Sequence, residues 1–174
     1  MTEQESRNLD RKDKLPSTRF HKVIEITTLV ILMTMVIYPI IVWGTLPAKL
    51  PMHYNALGEI DRWGSKLELI IMPVIGVLMY GLMTLVSAYP STWNIPVTVT
   101  RENRIRVYQC TKSMLVLMKL EIIVIFAYLE YMILHLQALA SSFLGVVIVV
   151  VFGTIIFSIV RMYKVARRRV EKIE

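Results

Sequence analysis

Four long apolar stretches alternate with shorter polar ones along the chain, at residues 23–43, 67–88, 113–136 and 139–160. Crossing the hydrocarbon core of a bilayer takes about 20 predominantly apolar residues in a helix, and each stretch meets that length. The pattern predicts an all-α, polytopic membrane protein, a four-transmembrane-helix bundle over residues 23–160 with a structured extracellular loop between its first two helices. A polar tail expected to be disordered (1–22) precedes the bundle, and a basic tail (161–174) follows it. The first stretch is too long for the apolar region of a signal peptide, about 7–15 residues, and no small-x-small cleavage pattern follows it. Only a few residues around Gln137 separate the last two stretches, which makes them antiparallel neighbours. Ser141, Gly145 and Gly153 recur at multiples of four and predict a face for close helix approach. Pro39 and Pro73 remove backbone donors and predict kinks or helix starts.

Composition narrows the class. The chain is 55% hydrophobic, with a mean hydropathy of +0.56, whereas soluble domains run at about 45–50% apolar. The net charge of +7 reads as topology rather than as nucleic-acid binding. Six basic residues precede the first stretch, four lie between the second and third, and six follow the fourth. Three lie in the first loop and none in the third. By the positive-inside rule both termini face the cytoplasm of a multi-pass cell-membrane protein, and the first loop faces out. A lone cysteine, Cys110, excludes an internal disulfide framework and a cysteine zinc cluster.

That outer loop, "LPAKLPMHYNALGEIDRWGSK" (46–66), is dense in chemistry. Pro47 and Pro51 fix an extended entry, and Gly58 and Gly64 supply turn conformations. Trp43, Tyr54 and Trp63 suit the headgroup zone. His53, Asn55, Glu59 and Asp61 offer enough donors for a cation, but their spacing matches no metal motif and there is no second histidine nearby. In the alternative, Asp61 caps a turn or pairs with Arg62 or Lys66, while His53 and Asn55 bond to backbone. No nucleophile with a paired base appears, so no catalytic residue is expected, and neither a cofactor nor a metal. The loop is expected to fold as a compact cap, with His53, Asn55 and Asp61 hydrogen-bonded within it and Trp63 buried against the helix ends.

The same residues carry a resemblance. Leu46, Pro47, Leu50, Pro51, His53, Tyr54, Asn55, Gly58, Asp61, Trp63, Gly64 and Lys66 resemble the signature of a bacterial membrane domain of unknown function, family 1648. A second block, "NIPVTVTRENRIRVYQCTKSM" (94–114), is similar through Pro96, Thr100, Glu102, Asn103 and Tyr108. The resemblance extends to the immunity protein that protects sporulating bacteria from their own cannibalism toxin. In that relative it implies toxin tolerance and membrane capture of a small repressor.

Two further groups stand out. Thr100 is a plausible N-cap for a helix from Arg101, which places Arg101, Arg104, Tyr108 and Lys112 near one face. This is either a basic ledge for anionic headgroups or an acidic partner, or plain positive-inside charge. Within the third stretch, Glu121, Tyr128 and His135 form one stripe at intervals of seven, with Glu130 on the opposite face. An intramembrane carboxylate is costly and is a functional hypothesis by default. Glu121 would relay protons, hold a cation, or bond to another span, and no counter-charge is visible for it. Lys119 is expected to snorkel toward the cytoplasmic surface.

These readings favour a non-enzymatic membrane protein that binds, senses or tolerates something at its outer face and engages a partner at its cytoplasmic face. The candidate partners are the lipid bilayer, a repressor or transporter subunit, and a second copy of the chain in a homo-oligomer. Direct nucleic-acid binding is not expected. The alternative is a small transporter or ion-handling protein, or an accessory subunit of a transporter.

Overall fold

The computed structural model describes residues 17–167. The expected tails at 1–16 and 168–174 lie outside the described residues. The element order is α1 (Arg19–Val42), β1 (Lys49–Tyr54), β2 (Ile60–Ser65), α2 (Ile71–Ala88), α3 (Arg104–Leu134) and α4 (Phe143–Arg167). Short 3-10 turns occupy Trp43–Thr45, Lys66–Ile70 and Pro90–Thr92.

Helix α1 begins inside the stretch read as tail, because Thr18 and His21 cap it reciprocally. Thr18 Oγ1 accepts from His21 N at 3.2 Å, and His21 Nδ1 accepts from Thr18 N at 3.3 Å. Satisfying the exposed first-turn donors fixes the start there rather than at Val23. Its buried residues, His21, Thr28, Leu32, Met35 and Pro39, recur every three, four or seven positions. That stripe faces inward, and the rest of the apolar surface faces out.

Helix α3 is the axis of the molecule, packing against each of the other three. One side carries Val116, Lys119, Ile123, Glu130 and Ile133, all buried, while Val107, Cys110 and Thr111 belong to another. The central position explains its composition. A helix covered by its neighbours can keep Lys119, Glu121 and Glu130, whereas a helix facing lipid cannot. Accordingly, three helical segments are long and apolar enough to cross a membrane: Arg19–Thr45, Lys66–Ala88 and Phe143–Arg167. The third of the four expected spans is not apolar enough to count among them.

The all-α expectation fails at the first loop, which is a β-hairpin. Strands β1 and β2 pair antiparallel, from Lys49 opposite Ser65 to Tyr54 opposite Ile60, with irregular register around His53. Pro51 is tolerated because a two-stranded ribbon consists of edge strands only. The glycine face predicted on the last helix also fails: a Cβ at Gly145 or Gly153 would meet nothing within 4 Å. Helix α3 begins at Arg104, so Arg101 sits in the preceding turn. Thr100 still closes that turn, accepting from Asn103 N at 3.4 Å while Asn103 Oδ1 accepts from Thr100 N at 2.8 Å.

Candidate functional site

The hairpin is tied down at three levels. Its base rests on a small core of Leu50, Leu69 and Ile133, each no more than 2% exposed, with Trp43, Leu46, Met52, Tyr54, Met72 and Leu134 packed around it. Its tip is an asparagine turn. Asn55 Oδ1 accepts from Leu57 N at 2.9 Å and Glu59 N at 3.0 Å, while Asn55 Nδ2 donates to Glu59 at 2.8 Å. The tip then docks on the connection between α3 and α4. Leu139 N donates to Gly58 O at 2.8 Å, and Tyr54 Oη donates to Gln137 O at 3.1 Å. Gly58 has φ +85°, and a Cβ there would lie 2.6 Å from Leu139 O. Only glycine fits both the conformation and the approach. Burial, followed by the neighbouring Tyr128, pushes the Tyr54 phenol up to about 12.

The polar residues of the loop form local pairs. His53 Nδ1 lies 2.6 Å from Asp61 Oδ1, so Asp61 turns to His53 instead of Arg62 or Lys66. Arg62 pairs with Glu68 at 2.9 Å, and Glu68 also accepts from Ser65 N at 2.9 Å. The Lys66 ammonium lies 5.2 Å from the Trp43 ring centroid and donates to Trp43 O at 3.4 Å. Trp63 is 52% exposed, which corrects the expectation of burial against the helix ends. Trp63 sits opposite Pro51 across the ribbon, on the face other than the one from which Leu50 enters the core. Among the described residues, no three His, Cys, Asp or Glu side chains come together in a way that could hold a metal ion.

Under the hairpin lies a cavity of about 320 Å³. Its rim is polar, with His53 and Asn55. Its inner wall is apolar, with Met72, Leu129, Ile133 and Phe143. Tyr128 stacks on Phe143 with centroids 5.1 Å apart, and His135 stacks on Tyr131 at 4.0 Å and faces Tyr38 at 6.4 Å.

A second constellation lies deeper. Lys119 on α3 is 1% exposed, and its ammonium meets both oxygens of Glu25 on α1 at 2.7 and 2.5 Å. It also donates to Thr84 Oγ1 on α2 at 3.1 Å and lies 4.5 Å from the Tyr80 ring centroid. The Lys119 ammonium therefore ends buried against a half-exposed partner rather than at the surface. This pair escaped the sequence reading. The available signal was an acidic and a basic residue each within about two turns of the start of an apolar stretch, Glu25 in 23–43 and Lys119 in 113–136. Glu121 points away from it, accepting from Thr154 on α4 through Oε1. Its Oε2 and Glu130 Oε1 are buried without a partner. Of the basic ledge, Lys112 donates to Ser17 Oγ at 2.8 Å, and Tyr108 meets Trp93 edge-on at 5.8 Å. Arg104 is half-buried one helical turn from Tyr108, and Arg101 is exposed in the preceding turn.

Residues 30–77, from the middle of α1 through the hairpin to the first turns of α2, match the model of the domain of unknown function DUF1648. This stretch of the chain is similar to DUF1648. The domain includes the whole hairpin, whereas Glu25, Lys119, Glu121 and Glu130 lie outside it. An uncharacterized protein of Archaeoglobus fulgidus is 32% identical over 78 residues. That match takes in 40% of this chain and 43% of the archaeal protein, so the chain spans less than half of that relative's length. No solved structure matches.

Proposed function

We propose that this protein is a non-enzymatic, multi-pass membrane protein that binds an apolar or amphipathic molecule beneath its outer hairpin. In this reading α3 crosses the bilayer as a fourth span. Its 31 residues reach about 46 Å at 1.5 Å per residue, and the three apolar helices shield its charges. The distribution of lysine and arginine favours both termini in the cytoplasm and the hairpin outside. Cysteines introduced at Glu59 and Lys164 in a Cys110→Ala background should then label from opposite sides.

The cavity under the hairpin carries the reading. Ligand sites are typically apolar hollows with a few polar groups at fixed places, and this one has that form. Met52 and Met72 give it adaptable walls. Ile133 lines it and also belongs to the hairpin core, so an occupant would press on α3, whose far end carries Arg104 and Lys112. Outer-face tolerance of a membrane-active molecule, coupled to a cytoplasmic protein partner, fits this arrangement. Native mass spectrometry of protein released from nanodiscs should find a small apolar adduct. Ala140→Trp, at the cavity wall, should remove it. An adduct that persists in the variant, or none in either protein, would sink the reading.

A second reading, ion handling, draws on the buried and unpartnered oxygens of Glu121 and Glu130. It requires proton flux in proteoliposomes that Glu130→Gln or Glu121→Gln abolishes.

A further inference from the structure

The seam between α1 and α2 is pinched midway, where Leu32 and Met35 close on Gly76; a Cβ there would lie 3.1 Å from Met35 Cε. On the hairpin side of the pinch, the seam opens into a groove of about 620 Å³ walled by Val36, Pro39, Ile40, Pro73, Val74 and other apolar residues. On the other side it opens into a cleft of about 380 Å³ with a different lining. Ser17, Lys22 and Glu25 come from the α1 side, Thr84 and Ser87 from α2, and Lys112 from α3. Polar side chains gathered on an otherwise apolar surface of the seam suit an occupant with a polar head and an apolar side.

The charges define that occupant. Glu25 is matched by Lys119, which takes both of its oxygens. His21, which also borders the cleft, is committed on both ring nitrogens. Its Nδ1 accepts from Thr18 N, and its Nε2 lies 2.9 Å from Ser113 Oγ. Lys22 and Lys112 remain. Neither forms an ion pair among the described residues, and Lys112 has spent one donor on Ser17. Two ammonium groups beside the Ser17 and Ser87 hydroxyls suit a compact anion with several acceptor oxygens, while the Thr84 hydroxyl is already donated to Tyr80 O.

We propose that this cleft binds a phosphate group, carried either by the headgroup of an anionic phospholipid in the seam or by free phosphate. The cleft has room for more than a bare phosphate, and Ile26 and Ala88 supply an apolar side to it. The proposal is independent of the cavity under the hairpin and concerns the opposite end of the molecule.

The test uses the full chain in dodecyl maltoside, a phosphate-free detergent, and follows thermal unfolding. Inorganic phosphate, phosphatidylglycerol and diacylglycerol are added separately. Phosphate or phosphatidylglycerol should raise the midpoint while diacylglycerol does not, and Lys22→Gln/Lys112→Gln should weaken the effect at least about tenfold. Lys164→Gln/Arg167→Gln, with equal charge removed from an exposed part of α4, should leave it intact. A response to phosphatidylglycerol alone identifies the lipid source, and an equal response to inorganic phosphate identifies the soluble one. If neither raises the midpoint, if diacylglycerol does as well, or if the double variant responds like the wild type, the proposal is wrong. Should the double variant fail to fold, Lys22→Gln alone, at an exposed position, must show the loss.

Discussion

His53–Asp61 on the hairpin and Lys119–Glu25 between the helices are contacts of almost equal length, 2.6 and 2.5 Å. Their surroundings differ. The hairpin pair is 63% and 40% exposed, while the lysine of the inner pair is 1% exposed and its glutamate 33%. An exposed pair is screened by water and gives little stability. A buried ammonium without its carboxylate is far more costly, because desolvation is no longer offset. The geometry of an ion pair therefore says little about its weight, and the depth of each partner says most. At the hairpin, backbone docking and the small apolar core do the work that the His53–Asp61 contact does not.

The largest effect should come from splitting the inner pair. Glu25→Ala leaves Lys119 buried and uncompensated and should cost about 3–5 kcal/mol of stability, read from chemical unfolding in detergent. Glu25→Gln/Lys119→Met should recover most of it. Equal losses in the single and double variants would show that the pair is not coupled.

Next comes the backbone latch. Gly58→Ala combines an unfavourable φ of +85° with a contact of 2.6 Å to Leu139 O, and should cost about 1–3 kcal/mol. Hydrogen exchange should show the Leu139 amide losing protection while the middle of α3 keeps it. Uniform loss along α3 would mean that the hairpin and the bundle do not separate.

A smaller effect is expected at Tyr54. Removing its bond to Gln137 O with Tyr54→Phe should cost about 0.5–1.5 kcal/mol. Because the folded phenol is raised from 10.0 to about 12, the unfolded chain loses this proton first. The contribution is thus complete below pH 10 and is lost as pH rises from 10 to about 12. In Tyr54→Phe that part of the pH dependence should vanish. A profile identical to the wild type would remove Tyr54 from the account.

The smallest effect should be that of Asp61→Ala, about 0.2–1 kcal/mol, and unchanged by chelator. A loss comparable to that of Glu25→Ala would show that depth does not decide the weight of the two contacts. Destabilisation of the wild type by EDTA would do the same and would favour bound metal.

The helices could be read from the sequence because long apolar runs have few other outcomes, but their ends moved: α1 starts earlier, where Thr18 and His21 cap it, and α3 and α4 start and end away from the edges of their apolar runs. The hairpin was harder to see. Pro51 within β1 argues against a strand, and its apolar residues do not alternate cleanly. The turn at Asn55 and Gly58 was legible because those residues act on their own local backbone. The inner pair was not, since its partners are separated by 94 positions and meet only through the packing of α3 on α1. Trp63 was misjudged for a related reason: aromatic character indicates an interface with something, but not which side of a ribbon will face the protein.

In the proposed topology, Lys119 also bears on how α3 would enter a bilayer. On insertion scales, a lysine at the centre of a helix costs about 2.5–3.5 kcal/mol, and α3 bears two glutamates besides. A ribosome makes Glu25 94 residues before Lys119, so the carboxylate is in place within α1 when α3 arrives. In the proposed four-span topology, order of synthesis would supply the counter-ion before the ion, so that the most polar helix would enter beside a partner already made.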